Sequence, residues 1–168
     1  MMRALRRLLM TSVVLGALAT PAASLDWGGI VPGTTTTEEV QSQYGPPSRA
    51  KVLKVEGFDT QEWTYQGERA PAGIQKLVVE FGLKLSGGFR PDLVRAFRLE
   101  PNPGIFTRAT ILTGWGEPAF VHVEGQQPNR FFYREGLVVD FAKDGWTPVL
   151  MTFTLPQPPP SGTVAPPR

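Results

Sequence analysis

The chain has 168 residues, with 17 lysines and arginines, 15 acidic residues, one histidine and no cysteine. The lack of cysteine argues against disulfides, thiolate metal sites, a cysteine nucleophile and a bacterial lipid anchor, which needs a cysteine at the cleavage site. A small net charge without clustered lysines and arginines argues against nucleic-acid binding.

The N-terminal residues have the pattern of an export signal. Three arginines precede the uncharged run Leu8 to Ala19, which is too short to span a bilayer as a helix. The small residues Ala22 and Ser24 predict cleavage after Ser24, so residues 1–24 are interpreted as a signal peptide. The remaining chain has 14 basic and 15 acidic residues, and we expect it to be a periplasmic or secreted bacterial protein without a membrane span. The alternative is an N-terminal anchor that is never cleaved.

Two segments predict helices of about ten residues. The first follows the threonines at 34–37, has Glu39 in its first turn, and stops at Gly45. The second follows Thr107 and stops at Gly116. Threonine can cap a helix N-terminus, acidic residues suit the first turn, and glycine commonly ends a helix.

Alternating polarity and turn residues predict eight strands. They span residues 49–55, 61–66, 75–83, 93–100, 119–124, 130–135, 137–142 and 148–155. One parity is apolar and is predicted to face the core: Leu77, Val79, Phe81, Phe97, Leu99, Leu137, Val139, Phe141, Met151, Phe153 and Leu155. Because the connections are short, the strands are expected to be antiparallel neighbours.

The chain also matches itself. Pro32 to Pro47 aligns with Pro103 to Pro118 at a constant offset, and LVVEF later aligns with LVVDF. The predicted class is therefore α+β, with two tandem helix-plus-four-strand repeats forming one antiparallel sheet, helices on one face and the other face open. The repeats are placed at about residues 30–101 and 102–156, and residues 157–168 are predicted to be a disordered proline-rich tail.

The segments VPGTTTTEEVQSQYGPP and NPGIFTRATILTGWGEP carry a family resemblance. They resemble the small-protein-A/outer-membrane-lipoprotein family, which includes the BamE-like subunit of the barrel-assembly machinery. Two such units in tandem are similar to the secreted β-lactamase inhibitory proteins. The resemblance implies this fold and a cell-envelope setting. Unlike these relatives, the chain has no cysteine for lipidation or disulfides.

The residues do not predict an enzyme. No nucleophile-elbow, phosphate-loop or zinc-protease pattern occurs, and one histidine with scattered carboxylates is a poor metal site. Glu80 and Asp140 could pair on the open face, but their matching positions in the two copies explain them without acid–base chemistry. We expect no catalytic residue, metal or cofactor.

Strand parity places a mixed set of side chains on the open face: Arg49, Lys51, Leu53, Val78, Glu80, Ala96, Arg98, Phe120, His122, Arg130, Phe132, Arg134, Val138 and Asp140. Aromatic residues and arginine are enriched in binding hot spots. We therefore predict a partner-binding patch of Phe120, His122, Arg130, Phe132 and Arg134 that recognises another envelope or secreted protein. The alternatives are aromatics packed under the tail or loops, a small-ligand or lipid-binding cleft between the repeats, and a structural envelope protein.

Overall fold

A computed structural model describes residues 24–157 of the chain. Two short α-helices precede groups of strands. The elements in chain order are α1 (Thr37–Tyr44), β1 (Arg49–Val55), β2 (Phe58–Gln66), a 3-10 turn (Gly67–Arg69), β3 (Ile74–Leu85), β4 (Gly88–Pro101), α2 (Arg108–Trp115), β5 (Phe120–Glu124), β6 (Gln127–Phe132), β7 (Leu137–Phe141) and β8 (Pro148–Thr154). Each predicted strand is present, with ends that differ from the prediction by a few residues.

All eight strands form one antiparallel sheet in the order β1-β2-β3-β4-β8-β7-β6-β5. The two halves of the chain meet at its centre, where β4 pairs with β8. Phe97 lies opposite Phe153 in this register, and Leu99 lies opposite Met151. β1 and β5 are therefore the two outer strands.

One core cluster lies on the face that carries the helices. Phe97 and Phe153 stack with ring centroids 4.5 Å apart, and Trp115 packs edge-on against Phe153 at 6.0 Å. The predicted core parity is confirmed for every residue except Leu155, which is only half-buried. Stacking of large apolar rings across the central strand pair joins the two halves in one core.

The helix ends follow the predicted chemistry. Thr36 and Thr107 are the N-caps, and each closes a capping box, with Glu39 and Thr110 respectively. Gly45 and Gly116 are the C-caps, with φ of 72° and 77°. A positive φ is strained for most side chains, which explains why glycine ends both helices.

The predicted fold class needs correction. The described residues are dominated by an eight-stranded sheet, only about 14% of them are helical, and they are not built as two helix-plus-four-strand repeats. The helices have eight residues each instead of about ten, and each buries one side chain, Val40 in α1 and Ile111 in α2. Because each helix ends after two turns, the helices are short covers on the sheet and do not form a helical layer.

Two of the predicted segments lie largely outside the described residues. These are the signal peptide, of which only Ser24 is described, and the proline-rich tail, of which only Gln157 is described. Within residues 24–157, neither helix is long and apolar enough to cross a membrane.

Candidate binding site on the open sheet face

A row of registered side chains crosses the face of the sheet opposite the helices. From β1 to β5 it consists of Arg49, Thr64, Val78, Arg98, Thr152, Val138, Phe132 and Phe120. Residues that are paired across neighbouring strands point to the same face of the sheet. The row therefore shows how the residue types on this face change from β1 to β5. It is polar and charged towards β1 and apolar towards β5.

Ion pairs link charged side chains of β2, β3 and β4 in the other half of this face. Glu80 contacts Arg95 at 2.7 Å and Arg98 at 2.9 Å, and Arg98 also lies 3.6 Å from Glu62. These carboxylates are engaged by guanidinium groups. This half is therefore a polar surface without a concentrated charge of one sign.

The β5–β7 half forms a pocket of about 490 Å³. Its lining residues are Phe120, Val121, His122, Asn129, Arg130, Phe132, Val138 and Asp140. Four of the five predicted site residues are thus brought together. The fifth, Arg134, lies at the rim, with its guanidinium carbon 5.7 Å from the centre of the Phe120 ring.

The two phenylalanines of the pocket differ in exposure. Phe120 is only 5% exposed, in contrast to the exposed residue expected from parity, whereas Phe132 is half-buried. Their ring centroids lie 6.1 Å apart at 51°. Phe132 covers one side of Phe120 and Arg134 covers another, so Phe120 forms the floor of the pocket and Phe132 its accessible wall. Val78, also expected on the open surface, is buried among its neighbours.

Polar groups hold the opposite wall in place. Arg130 Nε donates to Asp140 Oδ1 at 2.5 Å. Asn129 Nδ2 donates to Glu124 Oε2 at 2.8 Å, and the Asn129 Oδ1 lies 2.7 Å from His122 Nδ1. Because the amide oxygen can only accept, His122 Nδ1 donates this hydrogen bond.

Asn129 is a member of the site that sequence parity missed. The β5–β6 register shifts between His122 and Val123, where His122 pairs with Arg130 and Val123 pairs with Pro128. Asn129 is therefore the extra residue of a bulge, and a bulge turns a side chain away from simple alternation. The pairing register is needed to find it.

The site is suited to non-covalent recognition. It combines apolar rings with arginine, amide and imidazole groups, and none of these forms a nucleophile–base pair in the described geometry. Within residues 24–157, no three His, Cys, Asp or Glu side chains are close enough together to hold a metal ion.

Comparison with known proteins does not identify the chain. No family model, curated protein or solved structure matches it. The resemblance to the BamE-like family therefore stays a prediction from the helix motifs.

Proposed function

We propose that this protein is an exported, non-enzymatic binding module of the cell envelope. It would hold a segment of another envelope or secreted protein on the open sheet face, in envelope assembly or enzyme inhibition. The observation that carries the proposal is the pocket with a Phe120 floor and a Phe132 wall, rimmed by His122, Arg130 and Arg134.

The chemistry of the pocket favours a protein partner. Binding hot spots combine aromatic and arginine side chains near the centre of an interface, surrounded by contacts that exclude water. Here the apolar pocket continues into the ion-paired surface of Glu80 and Arg98, which supplies a polar rim on the same face. An apolar side chain of the partner would fill the pocket, and polar groups beside it would meet His122 and Arg130.

The test uses photo-crosslinking followed by affinity measurement. A photoreactive phenylalanine analogue at position 132 should capture a discrete partner in the producing cells, whereas the same analogue at Val52, on the far edge strand, should not. With that partner purified, Phe132→Ala should weaken binding by about 1 to 3 kcal/mol.

Val52→Ala is the matched control, because Val52 is an apolar side chain that is 79% exposed and lies outside the pocket. It should bind like the wild type. Equal capture from positions 132 and 52, or unchanged affinity after Phe132→Ala, contradicts the proposal.

A small-ligand function is the second candidate. The volume of about 490 Å³ falls within the range of ligand pockets. A shallower cleft of about 320 Å³ lies where the two halves of the chain meet, lined by Glu100, Pro101 and Leu150 among others. Native mass spectrometry of the purified protein would reveal a co-purified small molecule, which favours this candidate over a protein partner.

A further inference from the structure

The two edge strands of the sheet, β1 and β5, differ in how well they are protected against pairing with a strand of another chain. β1 carries Arg49, Lys51 and Lys54, and charged edge strands discourage pairing with another chain. β5, with the sequence FVHVE, has no lysine, no arginine and no proline. Its Val121 and Val123 alternate with Phe120 and His122 along the strand, and they are 44% and 54% exposed. The β5 edge is therefore the one open to strand addition.

β5 is complementary to itself in one antiparallel register. With His122 on the two-fold axis, Val121 lies opposite Val123 of a second copy, and this pair recurs across the axis. Directly opposite side chains have Cβ atoms about 4.5 to 5.5 Å apart, so each valine would cover the other. On the opposite face, Phe120 lies opposite Glu124 of the second copy.

The same register also matches charges. Within residues 24–157, neither Glu124 nor Arg134 lies within ion-pair distance of an opposite charge. Glu124 accepts a hydrogen bond from the Asn129 amide, and Arg134 lies over the Phe120 ring. Glu124 of a second copy, placed opposite Phe120, would therefore meet the Arg134 guanidinium, once on each side of the axis.

We propose that the protein pairs with a second copy of itself through the β5 edges in this register. The two sheets then become one continuous sheet, with valine pairs on one face and two Glu124–Arg134 pairs on the other. The two pockets flank the axis and stay open on the same face. Because five-residue strands bury little area, we expect dissociation constants in the range of about 1 to 100 μM. This pairing is separate from the proposed binding of a different protein.

Analytical ultracentrifugation of the full chain tests the association. The wild type should reach twice the monomer mass as its concentration rises through that range, and Val123→Lys should raise the dissociation constant at least tenfold. Val52→Lys places the same charge on an exposed valine of the other edge strand and should leave the constant unchanged. A wild type that stays monomeric at 1 mM, or equal effects of both lysines, overturns the proposal.

Charge reversal tests the predicted ion pairs. Glu124→Arg and Arg134→Glu should each weaken association about tenfold, and the double variant should recover most of the wild-type affinity. Unfolding curves measured in parallel check that each variant is folded. Two folded single variants with unchanged association, or a double variant weaker than both, contradict the register.

Introduced cysteines test the register directly, because the chain has none of its own. His122→Cys should form an intermolecular disulfide under mild oxidation, since the two residues face each other across the axis. Val121→Cys is the control, because its copies would lie diagonally at about 7 to 8 Å and crosslink poorly. Preferential crosslinking at position 121 overturns the proposed register. Crosslinking of a different protein at Phe132 is measured in a chain that keeps His122, Glu124 and Arg134, so failure here is distinguishable from failure of the proposed function.

Discussion

Two phenylalanines of the same sheet illustrate how residue position decides role. Phe153 is fully buried at the β4–β8 pairing and stacks at 7° on Phe97. Phe132 lies on the opposite face, outside the core cluster, where it walls the pocket. The first supports the fold and the second offers apolar surface, although both lie in strands with similar alternation.

We expect Phe153→Ala to lower the free energy of unfolding by about 3 to 5 kcal/mol, because truncation leaves a cavity in the core. Phe132→Ala should lower it by less than about 1 kcal/mol, because its ring is partly solvated already. Urea unfolding of both variants measures the difference. A comparable loss for the two would mean that Phe132 is part of the core and that the proposed pocket is a packing defect.

At the scale of elements, each helix end is tied to the sheet by a tyrosine. Tyr65 Oη donates to the carbonyl of Gly45 at 3.2 Å, and Tyr133 Oη donates to that of Gly116 at 3.0 Å. These glycines are the C-caps of α1 and α2, where helix carbonyls lack intrahelical partners. Both tyrosines are buried, so the bonds are shielded from water.

These tyrosines predict a loss of stability at alkaline pH. Burial raises the pKa of Tyr65 and of Tyr133 from 10.0 to about 12, with smaller contributions from Tyr44 and Glu117 respectively. The unfolded chain loses these protons near pH 10 and the folded chain near pH 12. The stabilisation is therefore complete below pH 10 and declines as the pH rises from about 10 to 12.

The combined Tyr65→Phe and Tyr133→Phe variant tests this assignment. It should lose about 1 kcal/mol per hydrogen bond at pH 8 and show a flatter decline above pH 10. Unfolding curves at pH 8, 10 and 11 compare it with the wild type. An equally steep decline of the free energy of unfolding in both proteins would show that groups other than these tyrosines cause the loss of stability above pH 10.

At the scale of the whole molecule, the two halves of the chain join at the centre of the sheet, and the first strand of each half lies at an edge. The β4–β8 pairing joins the two halves through Phe97 and Phe153, whereas β1 and β5 are the outer strands. The pocket lies beside the β5 edge, so a partner on the open face and a second copy on the edge would occupy adjoining surfaces.

We expect the mature protein to lack residues 1–24. The three arginines and the uncharged run that follows them have the order of an export signal, and the small residues before Leu25 suit signal peptidase. N-terminal sequencing of exported protein should begin at Leu25 or within a few residues of it. Finding Met1 on the mature protein would contradict the export interpretation and favour an uncleaved anchor.

The sequence by itself determined the local features of the described fold. The threonines at 34–37 and Gly45 predict where α1 begins and ends, because capping and positive φ depend on neighbouring residues only. Strand positions and the buried parity of residues such as Phe97 follow from alternation, because side chains of a strand point to opposite faces in turn. The same alternation predicted four of the residues that line the pocket, namely Phe120, His122, Arg130 and Phe132.

Only the tertiary structure decided what depends on pairing across the chain. The central β4–β8 pairing, the bulge that adds Asn129 to the pocket, and the burial of Phe120 beneath Phe132 and Arg134 all require contacts between separate segments. The proportion of helix to sheet in the fold also depends on contacts between separate segments. Helix signals show that helices form, but the area of sheet they cover decides whether they make a layer, and here each buries a single side chain.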